Sequence, residues 1–202
     1  MKKRILLIGV VLALIAVMAM PAQILAKSGS DRPQITTGSF NATDTVYISD
    51  PGKTTQKGMR LITRGEIMQS AAPVSSEWPV LDGAMIVVQH SSDIKLTPTG
   101  PASGTFSGTA INIIKVYPAA GGQLTGVSPT ILNGSYILDP TYGMIVEDVT
   151  DTGKYYVAGQ VPSGDGQSFV QSHGTLNASL NWNGMTLFGN ATFSGEYRTL
   201  SR

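Results

Sequence analysis

Cysteine is absent from the 202 residues, which excludes disulfides, thiolate nucleophiles and cysteine-bound metals. Charge is sparse, with 13% Asp, Glu, Lys and Arg against ~25% in ordinary domains. The net charge of +1 leaves no bulk electrostatic footprint for nucleic acid. Helical periodicity is nearly missing. The best candidate, Glu66–Ala72, is short and ends before Pro73. Catalytic signatures are missing too: no G-x-S-x-G, no H-E-x-x-H, no phosphate-binding glycine loop and no EF-hand loop.

What remains is rich in turns and β-formers. There are 23 glycines, 11 prolines and 39 serines plus threonines. The first 26 residues stand apart. Lys2, Lys3 and Arg4 precede an apolar run from Ile5 to Met20, then Pro21 and a small residue, Ala26. This order predicts a secretory signal peptide over 1–26, cleaved before Lys27. The run is shorter than the ~20 residues that span a bilayer. Cleavage removes three cations and leaves 11 basic against 13 acidic side chains. Residues 27–33 then form a flexible leader and 34–202 one all-β domain. The expected location is secreted or in the cell envelope.

Strands are expected at Thr45–Ile48, Met59–Thr63, Ala84–His90, Thr105–Tyr117, Ser135–Leu138, Met144–Val149, Lys154–Val161, Ser168–Gln171, Gly174–Trp182 and Met185–Thr199. Turns are expected at Asp139–Gly143 and Asp151–Gly153. Asn183-Gly184 suits a type I′ hairpin turn. That turn would set Leu180 opposite Leu187, Ala178 opposite Gly189 and Leu176 opposite Ala191, all on one apolar face. Thr-Phe-Ser-Gly recurs at 105–108 and 192–195, each time in a long, glycine-marked strand. Long strands of this kind favour an antiparallel β-barrel, closed or partly open, of about 8–10 strands. A β-sandwich is the close second. The apolar stretch Ala84–Val88 reads as covered on both faces.

The two histidines, His90 and His173, are expected near a sheet rim, where a zinc site would need both plus a carboxylate such as Asp93. Glu147 and Asp148 should point to opposite faces. Asp148 and Asp151 have oxygens that suit calcium, but as an incomplete set on a hairpin turn. No catalytic residue, metal or cofactor is therefore assigned. Aromatic side chains offer ligand contacts, and Trp78, Tyr155, Tyr156 and Trp182 are the candidates. Trp78 would otherwise plug a barrel end, and Trp182 would sit in the core. Asn41, Asn133, Asn177 and Asn190 lie in glycosylation acceptor patterns.

The leading functional expectation is an exported, non-enzymatic β-domain acting as a surface, matrix, adhesive or assembly module. The alternative is a barrel carrying a small apolar ligand, and after it a barrel isomerase or hydrolase using His90 or His173. A lipid-facing outer-membrane barrel is disfavoured because no aromatic girdle is evident. Candidate partners are a small apolar ligand, cell-surface components or a second copy of the chain, and not nucleic acid.

Overall fold

The computed structural model describes residues 33–70, 77–164, 166–182 and 187–201, with Trp182, Leu187 and Phe188 described by backbone alone. The expected signal peptide and most of the leader lie outside these residues, as does the Asn183-Gly184 turn.

Nine strands are present among the described residues: β1 Gln34–Asp50, β2 Lys53–Lys57, β3 Arg60–Ser70, β4 Met85–Gly100, β5 Ser103–Tyr117, β6 Gln123–Asp139, β7 Gly143–Ser163, β8 Gly166–Trp182 and β9 Leu187–Ser201. All pair antiparallel. From β3 to β9 each strand pairs with its successor, β9 pairs with β1, and β1 pairs with β3. The hydrogen bonds thus form a ring of eight strands, a β-barrel, which β1 closes on β3 over Val46–Asp50 while Gln34–Thr45 pair with β9 alone among the described residues. β2 continues along β3 beyond β1: Asp50 pairs with Ile67, then Lys53 with Arg64.

Alternation explains the closure. On β5, Phe106, Ala110, Asn112, Ile114 and Val116 are buried, and Thr105, Ser107, Thr109 and Lys115 between them are exposed. The interior is mainly apolar with a minority of buried polar groups, and the outside mixes Ser, Thr, Asn and charge with exposed apolar side chains such as Ile111, Ile113 and Ile131. Large inward side chains lie over glycines on the opposite strand. Tyr197 covers Gly38, Phe106 covers Gly134 and Tyr136 covers Gly104, each pair directly cross-strand. The repeated Thr-Phe-Ser-Gly places Phe106 and Phe193 in the core.

Several expectations are corrected. Glu66–Ser70 is strand, not helix, because pairing to β4 and to β1 overrides local propensity. Asp151–Gly153 is not a turn but the middle of a 21-residue strand, paired throughout with β8. Met85 is exposed and Val87 half-buried, so only the inner face of Ala84–Val88 is covered. In the last hairpin Leu180 faces Gly189, Ala178 faces Ala191 and Leu176 faces Phe193. The register differs by two residues from the turn-based expectation. A two-residue slip leaves every side chain on its expected face, so alternation alone does not detect it. The Asp139–Gly143 connection does turn the chain, with Asp139 Oδ1 accepting the N–H groups of Thr141 and Tyr142 at 2.7 and 2.9 Å.

Candidate functional site

One barrel end is filled by aromatic rings. Trp78, just before the 3-10 turn Pro79–Leu81, is 2% exposed. Its ring stacks on Tyr197 with centroids 5.6 Å apart and meets Phe40 at 4.8 Å. Glu77 Oε2 accepts the Asn41 N–H at 2.9 Å and ties the connection to β1.

Above this plug lies a belt of buried polar groups: Asp44, His90, Asn112, Ser128, Thr130 and Asp151. Two bulges place acids inside the barrel. On β3 the alternation Leu61, Thr63 inward shifts at Gly65 (φ 72°), where the register to β4 slips, so that Glu66 and Met68 face the interior. On β7 it shifts at Asp148 (φ 51°), so that Val149 and Asp151 follow Met144 and Val146 inward. An extra residue in a strand re-aims every side chain after it. The Asp148 bulge also leaves both Glu147 and Asp148 exposed, correcting the expected opposite faces.

Glu66, His90, Asn112 and Ser128 are successive cross-strand neighbours on β3 to β6. Asn112 Oδ1 lies 2.6 Å from His90 Nδ1, and Asn112 Nδ2 donates to Thr130 Oγ1 at 3.3 Å. An amide oxygen only accepts, so in this orientation Nδ1 carries the proton and Nε2 of a neutral ring is an acceptor. Burial pushes the Glu66 carboxyl up to about 7. Burial also raises Asp151, with Thr130, the His90 ring and Asn112 offsetting part of the shift; its Oδ1 has no hydrogen-bond partner. Asp44 is raised by burial as well. Ser70 and the Thr45 backbone offset part of this, yet neither reaches hydrogen-bond geometry, and both carboxyl oxygens are unpartnered.

Next to the belt, toward the end that carries β2, is a cavity of about 350 Å³. Leu61, Ile94, Phe106, Leu132, Val149 and Leu180 supply apolar walls; Glu66, His90, Thr63 and Ser92 supply polar groups. A smaller space of about 40 Å³ is lined by Asn112, Asp151, Ala178 and Ala191, and it shares Met68 and Leu180 with the larger one.

The four aromatic candidates are not gathered at this cavity. Trp78 and Tyr155 meet around a space of about 20 Å³ at the plugged end, room for roughly one water. Tyr155 is buried, its hydroxyl 3.1 Å from Ser172 Oγ, and burial pushes it up to about 12. Tyr156 points outward between Val127 and His173 and is half-buried. Trp182 pairs through its backbone with Val146 and Leu187; its side chain lies outside the described residues. The histidines are not rim residues either, because β4 and β8 run on past them. His90 faces inward and is buried, whereas His173 faces outward beside Glu196. Asp93 faces outward in a two-bonded ion pair with Arg60. The imagined zinc trio is therefore split between the two faces, and the described residues hold no metal-ligand cluster.

The sequence pattern did not single out Glu66 or Asn112 as site residues, and it put Asp151 on a surface turn rather than inside the barrel. The glycine at 65 was the one available signal for the first. Comparison with protein-family models, curated proteins and solved structures finds no match.

Proposed function

We propose that the protein is an exported barrel that binds a small, largely apolar molecule in the cavity beside Glu66 and His90. The observation that carries this reading is the cavity itself. Its ~350 Å³ volume sits at the small end of the ~300–1,000 Å³ range of ligand sites. Its apolar walls with a few convergent polar groups are the usual composition of such sites. The export part of the proposal is supported by the tripartite pattern of residues 2–26.

The Ser-, Thr- and Asn-rich outer faces support the surface-module reading, which makes no use of the cavity. A proton-transfer enzyme has one specific feature in its favour: next to His90, burial pushes the Glu66 carboxyl up to about 7.

Binding is tested with N-phenyl-1-naphthylamine, an uncharged fluorophore. One saturable site is expected, lost in Thr63→Phe while the circular dichroism of the fold persists. No saturable binding across neutral, cationic and anionic probes overturns the proposal and returns the surface module to first place.

A further inference from the structure

Lysine and arginine are kept out of the barrel interior among the described residues. Every described lysine and arginine is exposed: Lys53, Lys57, Arg60, Arg64, Lys95, Lys115, Lys154 and Arg198. Facing inward are three carboxyls, Asp44 from β1, Glu66 from β3 and Asp151 from β7, together with His90 from β4. Among the described residues, the remaining titratable groups buried in the interior are the phenols Tyr136 and Tyr155.

The Asp151 carboxyl has a specific deficit. The residue is 3% exposed and lines the smaller space, and its Oδ1 has no hydrogen-bond partner. A buried, unmatched acceptor is costly. Native chains keep such groups where something else satisfies them. The walls beside it are made small: Asp44, Ala191, Ala178 and Asp151 are successive cross-strand neighbours, so two alanines separate the acids along the wall. Between this space and the larger cavity stand Met68 and Leu180. An unbranched methionine is an adaptable partition.

We propose that the cavity takes a small apolar amine, its ammonium seated against Glu66 and directed toward the Asp151 carboxyl beyond Met68. The inference rests on the ligand-binding reading of the cavity. A carboxylate ligand would meet buried acids with no cation to balance them, and a neutral ligand would leave the Asp151 acceptor unmatched. An ammonium has three donors and no acceptor, which is the complement of this interior. His90 does not oppose it while neutral, since Nδ1 donates to Asn112 and Nε2 accepts. Binding converts a part-protonated Glu66 to carboxylate, so association near neutral pH releases a proton.

The test is calorimetry of the full chain at pH 7.0 with three probes of one shape: 4-phenylbutylamine, 4-phenylbutanol and 4-phenylbutyrate. The amine is expected to bind at least tenfold tighter than the alcohol and the acid weakest. Heats in buffers of different ionisation enthalpy should report proton release with the amine. Glu66→Gln is expected to abolish the amine's advantage while keeping alcohol binding, and Asp151→Asn to weaken the amine several-fold. Equal affinity for amine and alcohol, or tightest binding of the acid, overturns the inference and leaves the binding barrel standing. If none of the three binds, and the uncharged fluorophore does not bind either, both readings fall. Should Asp151→Asn not fold, the Glu66→Gln comparison decides alone.

Discussion

Leu180 on β8 lies directly opposite Gly189 on β9, and a Cβ added to Gly189 would stand 2.8 Å from Leu180 Cδ2. The bare backbone at 189 is what lets a buried leucine lie across the strand. Gly189→Ala is therefore expected to destabilise by about 1–3 kcal/mol, the usual range for overpacking. Urea midpoints check it. The same Cβ would stand closer still to the Ser179 carbonyl oxygen, so a neutral result would mean that the two strands part there as well as that Leu180 repacks.

The same pair separates the two faces of the hairpin. Leu180 is buried, and its neighbour Ser179 is exposed. Leu180→Asp loses ~1.5–3 kcal/mol of apolar burial and adds a charge to the interior. Ser179→Asp should stay within about ±0.5 kcal/mol. Equal shifts for the two variants would contradict the inward assignment of Leu180.

Face assignment was legible in the sequence because side chains alternate with period two. Leu176, Ala178, Leu180, Ala191 and Phe193 all point where the pattern puts them. Register was less legible. The Asn183-Gly184 signal implied a two-residue turn, yet Trp182 pairs with Leu187. The site was hardest to read, because two of its acids, Glu66 and Asp151, follow bulges. Counting in twos through Thr63 puts Gly65 inward and Glu66 outward, and counting through Val146 does the same to Asp151. Both counts fail where an extra residue sits at positive φ. Polar residues that break an apolar pattern also look like turns, which is how Asp151-Thr152-Gly153 resembled a hairpin.

The bulge on β7 carries a measurable strain. Asp148 has φ 51° and is the one non-glycine at positive φ among the described residues. Asn181 Oδ1 accepts its N–H at 3.2 Å, a backbone bond that glycine at 148 keeps. Asp148→Gly removes the Cβ penalty of the left-handed region, ~1 kcal/mol, while the greater freedom of glycine in the unfolded chain takes back part of it. A small gain in thermal midpoint is expected. A loss of 1 kcal/mol or more would show that the Asp148 carboxyl holds the bulge.

Export has a direct readout. Ala26 follows the apolar run at the small-residue position, so N-terminal sequencing of exported protein should begin at Lys27. Recovery of the chain with Met1 to Ala26 attached, in the membrane fraction, would favour an anchor.

Stability should fall as the pH rises from acid to neutral. The interior carboxyls are raised by burial, with Glu66 moving from 4.5 to about 7 and Asp44 and Asp151 shifted in the same direction. Between the unfolded and folded values the native state binds more protons than the unfolded chain, so the slope of stability against pH is negative. For Glu66 the window runs from 4.5 to about 7. Across it the loss is on the order of 2 kcal/mol once solvent reaching the cavity is allowed for. At the acid edge the Arg60 ion pair holds the surface carboxyl Asp93 below its ordinary value. Its contribution is lost only as the pH drops through that depressed value. The maximum should therefore lie near the bottom of the Glu66 window rather than at neutrality. Glu66→Gln does not titrate, so it should flatten most of the decline and exceed the wild type in stability at pH 8. Urea midpoints taken from pH 4.5 to 8 test both points. A wild-type profile that rises across this range would mean that Glu66 is ionised and solvated in the folded barrel, and the acid wall of the cavity would then have to be redrawn.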